Sequence, residues 1–524
     1  MSTKRNLVEA IYPLSPMQQG MLFHTLYDQE SGVYLTQINL TLRGNLDVPS
    51  FQRAWELVIE RHPVLRTGFV WERRDEPFQV VYRQVRLPWA QHDLRDRSPS
   101  EQEAEIAAFL ADDLSLGFAL DKAPLMRLVL FQTADDTHQF VWSQHHLLMD
   151  GWSLPLVIGE VFQSYEAFAH GRDIRLPAAR PYREYIAWLQ KQDMQQAETF
   201  WRQNLAGFTA PTPLGVDHPL TSDSGPVEHV ELEVQVPSDL SGQLQTLTRQ
   251  HGLTLNTLVQ GAWALLLSRY SGEPDVVFGA TVSGRPADLP GVERMIGLFI
   301  NTLPVRVQID SRATLLDWLK HIQAQQADLR QYEYSPLVQV QGWSEIPRGQ
   351  SLFESLVVFE NYPTATNQSQ PGNRRSLEIS SQRSLERGNY PLNLTATTAD
   401  GLGLRITYDR RRFTAATIER LIGHLQTILA AIAAAPTQQL GQLSLLTADE
   451  RQQLLHDWTA TAAPFPQDRC VHALIEEQAA QQPAATAVVW GEQSLSYAAL
   501  NARANQLAHV LQTLGVGPDQ RVGL

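Results

Sequence analysis

The run His145-His146-Leu147-Leu148-Met149-Asp150-Gly151 places two imidazoles and a carboxylate within seven residues, at a point where a strand gives way to a helix. Imidazole ionises near neutrality, which suits it to proton transfer. The stretch from His138 to His146 alternates as a strand does, with Phe140, Trp142, Gln144 and His146 on one face and Val141, Ser143 and His145 on the other. The adjacent histidines therefore point in opposite directions. A chelating pair sits on one face, so no metal site is expected here. After Gly151, the segment from Ser153 to Phe168 has helical spacing, with Ser153 as its expected cap and Pro155 in the first turn. The residue types alone also fit two ordinary buried histidines and an Asp150 that caps the helix.

The spacing His-His-x-x-x-Asp-Gly resembles the signature of the condensation domains of nonribosomal peptide synthetases. Further matches follow in the family's order. Tyr12-Pro13-Leu14-Ser15-Pro16-Met17-Gln18-Gln19-Gly20-Met21-Leu22-Phe23-His24 is similar to its opening motif, and Arg61-His62-Pro63-Val64-Leu65-Arg66-Thr67-Gly68-Phe69 to its second. The stretch from Tyr182 to Leu189 matches the motif after the histidines. Ser283-Gly284-Arg285-Pro286, the run from Ile296 to Arg306, and Leu352-Phe353-Glu354 with Glu360-Asn361-Tyr362-Pro363 resemble later ones.

Composition excludes other classes. At 524 residues, 43% hydrophobic and 19% charged, the chain can bury more than one core. A formal charge of −14 with only four lysines disfavours a nucleic-acid partner, which needs clustered positive charge. The single cysteine, Cys470, excludes an internal disulfide and a cysteine metal cluster and fits a reducing cytoplasm. No apolar run is long enough to span a membrane, and the polar start is not followed by a signal-peptide core. The chain reads as cytoplasmic.

The resemblance implies an α/β fold of two chloramphenicol-acetyltransferase-like lobes, arranged as a V-shaped pseudo-dimer around a tunnel. The expected divisions are a first lobe over 1–180, a connector rich in Pro, Gly and Ser over 181–225, a second lobe over 226–440 and a linker over 441–468. From 469 to 524, Leu495-Ser496-Tyr497-Ala498-Ala499-Leu500-Asn501 and the residues after it resemble the first adenylation motif. No Gly-rich phosphate loop follows, so the expectation is the start of an adenylation domain in a piece of a larger synthetase.

The implied reaction joins a donor thioester to the amine of an acceptor thioester, both on phosphopantetheinyl carrier proteins, and the domain itself binds no cofactor. By resemblance His146 faces the tunnel, as base or as a hydrogen-bond donor to the tetrahedral intermediate. Gly151 leaves space there and its N–H can face the oxyanion. His145 packs, and Asp150 holds the loop through Arg285. Trp152, Asn301 and Thr302 are candidates to line the tunnel. Aspartates would replace both histidines in a heterocyclisation domain, and an epimerisation domain would not precede an adenylation start. A non-catalytic docking module and an acyltransferase using coenzyme A remain as alternatives. The opening motif, Leu147-Leu148-Met149 and Phe359-Glu360-Asn361-Tyr362-Pro363 resemble the subtype that takes a D-configured donor. With few residues before the first motif, Met1 to Ala10 is expected to dock a donor carrier from another polypeptide, the acceptor carrier lying downstream.

Overall fold

The computed structural model describes residues 7–27, 34–72, 76–219, 228–361, 377–386, 390–399 and 401–523. Most of the expected docking segment, part of the Pro/Ser/Asp/Gly-rich connector, and Tyr362 and Pro363 lie outside them. Two compact units result, residues 1–447 and 448–524.

In the first unit the motif strand Thr137–His145 sits at the centre of a five-stranded sheet, between Leu35–Arg43 and Met126–Ala134. Trp89–Asp93 closes one edge in parallel, and Glu378–Glu386 closes the other in antiparallel register. The alternation read from the sequence is present, yet both faces are covered. Phe140 and Trp142 join the aromatic core under helix Val48–Arg61, with Phe51–Phe140 and Trp55–Trp142 ring centroids 5.1 and 4.9 Å apart. Val141, on the opposite face, packs with Phe131 and Ile106 of helix Pro99–Leu116. Such two-sided burial is why even the polar members, Ser143, Gln144 and His145, are inaccessible to solvent.

A second, six-stranded mixed sheet carries the later motifs. Its order is Asn301–Gln308, Asp275–Val282, Ser355–Glu360, Leu392–Thr397, Gly403–Asp409, His229–Gln235. Helices Leu255–Ser271 and Ala415–Ala434 pack on it through continuous apolar faces. Gly252, in the left-handed region at φ 64°, ends helix Ser238–His251 and separates it from helix Leu255–Ser271. The polar stretch from Tyr182 to Leu205 is likewise two helices, Arg183–Leu189 and Met194–Asn204, the second started by Asp193, which accepts the N–H groups of Gln195 and Gln196.

The two sheets do not divide the chain cleanly at 225/226. Glu378–Glu386 pairs with Leu35–Arg43 of the first sheet, and Leu377 lies in the first sheet's core. Leu289, Val292, Met295, Ile296, Leu298 and Phe299 are buried in that same core. Second-half chain therefore completes the first half.

The second unit consists of a short helix Ala448–Gln452 running into a π turn, helix Val471–Gln481, a hairpin Thr486–Trp490/Gln493–Ser496 and helix Tyr497–Thr513. Ser496 caps the last helix by accepting the Ala499 N–H at 3.2 Å.

Gly297 shows how closely the two halves of the first unit approach. A Cβ there would stand 2.2 Å from the ring of Tyr182, whose hydroxyl donates to the Leu298 carbonyl at 2.6 Å. Gly297→Ala is expected to cost about 1–3 kcal/mol, the usual range for overpacking a full site. Combining it with Tyr182→Ala should recover part of that loss, a non-additivity read from thermal melts of the two single variants and the double variant. Strict additivity would show that the two residues do not meet.

Candidate active site

The motif loop is held from below by the opening helix Pro16–Tyr27. Gln18, fully buried, donates from Nε2 to the Leu147 carbonyl at 3.0 Å, while its Oε1 accepts the Ser15 N–H and Gln79 Nε2. A buried amide must fill its bonding capacity, and this one does so by gripping the loop. Gln18 lies in the opening motif, but nothing in its local sequence points to this role.

His145 ends the strand and is buried. Its backbone N–H reaches the Leu125 carbonyl at 3.0 Å, and its Nδ1 accepts the Leu147 N–H at 3.2 Å. Because Nδ1 accepts, the proton of the neutral ring is on Nε2, 3.3 Å from Thr25 Oγ1, and the Thr25 hydroxyl itself donates to the Met21 carbonyl at 2.8 Å. Burial, with a smaller push from His146, lowers the His145 pKa to about 3. His145 is thus a neutral ring with both nitrogens engaged in fixing the loop. His146 follows with its N–H on the Tyr34 carbonyl at 2.8 Å and with little solvent exposure.

Asp150 closes the turn and has a fully buried side chain. Its Oδ1 accepts from the Ser153 N–H at 3.0 Å, from Ser153 Oγ at 2.9 Å and from Arg285 Nη2 at 3.2 Å. Its Oδ2 accepts the Phe299 N–H at 2.9 Å, and its own N–H donates to the Gly297 carbonyl at 3.1 Å. Helix Ser153–Ala169 begins as expected, but Ser153 is not its cap. The single Ser153 hydroxyl proton is shared between the Asp150 carboxylate and the Gly297 carbonyl, its oxygen accepts the Gly297 N–H, and Asp150 takes the first helical N–H instead.

Arg285 arrives from the loop after strand Asp275–Val282. Its Nη1 donates to the carbonyls of Val292 and Met295, and its guanidinium lies 4.0 Å from the Phe299 ring centre. Burial keeps this guanidinium below its ordinary pKa even with Asp150 beside it. The expected pair of Asp150 and Arg285, far apart in sequence, therefore meets.

Gly151 and Trp152 form the turn beyond Asp150, both partly exposed; Trp152 Nε1 donates to the Glu293 carbonyl at 3.1 Å. Asn301 and Thr302 open strand Asn301–Gln308 and are buried. The Asn301 amide is committed to main chain: Nδ2 to the carbonyls of Glu333 and Ser335 at 2.8 and 2.7 Å, and Oδ1 to the Thr302 N–H at 3.0 Å. Among the described residues no cluster of His, Cys, Asp or Glu could hold a metal ion, and no helix is long and apolar enough to cross a membrane.

Against known proteins, residues 8–455 match the family model for the condensation domain and residues 475–524 that for AMP-binding enzymes. Subunits D and C of linear gramicidin synthase from Brevibacillus parabrevis are 49% and 46% identical over 99% of the chain. The chain spans only 10% and 7% of their lengths. Among solved structures, a holo four-domain nonribosomal peptide synthetase with AMP and glycine covers 97% of the chain, 39% of its own chain being matched, with a TM-score of 0.68 at 19% identity. The first condensation domain of the calcium-dependent antibiotic synthetase covers 84%, with all of that chain matched, at 0.68 and 18%. These are likenesses of fold, and they agree with an α/β fold of two chloramphenicol-acetyltransferase-like lobes.

Asp150→Ala strips four donors of their acceptor and leaves Arg285 buried without its carboxylate. The expected loss is about 3–5 kcal/mol, larger than that of Ser153→Ala at about 1–3 kcal/mol. Denaturant midpoints for both variants measure this, and an Asp150→Ala midpoint equal to wild type would contradict the structural role.

Proposed function

The chain belongs to the condensation-domain family of nonribosomal peptide synthetases, and from that premise we propose that it forms an amide between two carrier-bound thioesters. The amine of an acceptor aminoacyl thioester attacks the carbonyl of a donor aminoacyl or peptidyl thioester. The new C–N bond forms, the C–S bond breaks, and the proton shed by the attacking nitrogen ends on the departing phosphopantetheine thiol. The observation that carries this reading is the division of labour between the histidines. With His145 locked neutral at both nitrogens, the imidazole left for proton handling is that of His146, placed one residue further along a loop fixed by Gln18, Asp150 and Arg285.

His146 serves this step either by relaying the amine proton or by hydrogen-bonding the oxyanion, and the N–H of Gly151 is the second donor we assign to that oxyanion. Asp150 and Arg285 support the site without touching substrate. Trp152, Asn301 and Thr302 flank the substrate path, with Asn301 acting through the main chain that it clasps. The domain needs no cofactor of its own, since phosphopantetheine comes with a donor carrier and an acceptor carrier. We place the reaction in the cytoplasm, in keeping with Cys470 as an exposed free thiol. Residues 1–180, 181–225, 226–440, 441–468 and 469–524 would then be first lobe, connector, second lobe, linker and adenylation start. The resemblance of the opening motif and of Leu147-Leu148-Met149 to one subtype supports a donor ending in a D-residue.

His146→Ala is expected to reduce amide formation by about two to four orders of magnitude with the fold intact. The measurement is mass spectrometry of the product on the acceptor carrier, with matched D- and L-terminated donors. Wild-type rates in the variant would replace the catalytic reading with a docking module, and preference for the L donor would reverse the stereochemical assignment.

A further inference from the structure

Leu147, the residue after His146, is held at both ends of its main chain. Its N–H meets His145 Nδ1 at 3.2 Å, and its carbonyl takes Gln18 Nε2 at 3.0 Å. A carboxamide makes the second contact only when its nitrogen is turned toward Leu147, because its oxygen would set one acceptor against another. The group that fixes this turn lies outside the motif loop. Gln79 sits in Phe78–Tyr82, the central strand of a separate three-stranded antiparallel sheet whose edges are Val8–Pro13 and Thr67–Val70.

Gln79 Nε2 donates to the Pro13 carbonyl at 2.9 Å and to Gln18 Oε1 at 3.0 Å, while Gln79 Oε1 lies 3.5 Å from Gln18 Nε2. The two amides therefore stand head to tail. Their direction is set by three main-chain groups that each have one possible role. The Pro13 and Leu147 carbonyls only accept, and the Ser15 N–H, 2.9 Å from Gln18 Oε1, only donates. Turning Gln18 alone would set its NH2 against the Ser15 N–H and the Gln79 NH2. Turning both would bring the Gln79 oxygen onto the Pro13 carbonyl. Both side chains are fully buried, so water offers neither of them a substitute partner.

We propose that Gln79 is a positioning residue for the motif loop: it fixes which way the Gln18 amide faces, and so keeps a donor on Leu147 beside His146. The relay runs from a main-chain acceptor in strand Val8–Pro13, through two amides, to a main-chain acceptor in the loop. An apolar side chain at position 79 removes one of the two donors to Gln18 Oε1, and the Gln18 amide is then directed from that end by Ser15 alone. Gln79 acts only through Gln18 and touches no reacting atom.

Gln79→Met, Gln18→Met and the double variant test this, since methionine keeps the length of the side chain and removes its amide. Should Gln79→Met not fold, Gln79→Asn replaces it, keeping an amide in the strand but one methylene short of Gln18. Hydrogen exchange of the backbone amides from Leu147 to Asp150, followed by mass spectrometry, should be about fivefold faster in either single variant, as for one weakened hydrogen bond. The double variant should exchange no faster than Gln18→Met alone. The kinetic arm rests on the amide-forming reading. There Gln79→Met, assayed well below its melting temperature, should lower kcat about tenfold with the acceptor KM unchanged, as a small misplacement does. The double variant should again match Gln18→Met. A merely structural Gln79 would lower the melting temperature and leave kcat at the wild-type value. That result, wild-type loop exchange in Gln79→Met, or effects of the two single variants that multiply in the double, overturns the proposal. Faster loop exchange with no amide formed even by wild type would keep the positioning of the loop and instead sink the amide-forming reading.

Discussion

A carboxylate withdrawn from water must be given donors, and the first unit is organised around meeting that demand for Asp150. Ser153 supplies two donors from the same stretch of chain, while Phe299 and Arg285 supply the others from the second half. Because one buried charge is satisfied from both sides, neither segment can shift without exposing an unpaired group. The reciprocal bonds between Ser153 and Gly297 and the phenol of Tyr182 on the Leu298 carbonyl then spread the same tie over several residues. What the motif spacing encodes is mostly this junction. The aspartate and glycine at its end turn the chain toward the partner segment.

The two histidines are a smaller version of the same logic. Strand alternation sends them to different environments, and two-sided burial of the central strand makes one of those environments dry. In such a place an imidazole is useful only as a neutral donor and acceptor, and His145 is used as both. Its neighbour lies where the strand has ended, so the two rings share a loop without sharing a role.

Local signals were legible in the sequence to the extent that they depend on local physics. The alternation around His146 and the helical spacing from Ser153 to Phe168 were readable from side-chain period. The meeting of Asp150 with Arg285 came from family resemblance, since no pattern in the residues themselves brings together positions 135 apart. Ser153 was misread because a serine before an apolar run is an ordinary cap, and only the tertiary approach of Gly297 gives its hydroxyl a better use. Gln18 carried no local signal of function. Its role arises from what surrounds a buried polar group, and that requires the fold.

The strand Glu378–Glu386 has a consequence for how the chain is made. Its partner Leu35–Arg43 is an edge until that strand arrives, and Ser380, whose hydroxyl donates to the Thr41 carbonyl, is 339 residues from it in the chain. At about 5–20 residues per second of translation, the edge waits for roughly 17–70 s on the ribosome. During that time the first sheet presents unpaired backbone groups, a template for association with any other extended chain. The nascent first half is therefore the aggregation-prone species of this protein. Shielding by chaperones, or slower crowding of ribosomes on one message, would matter most before residue 386 has emerged.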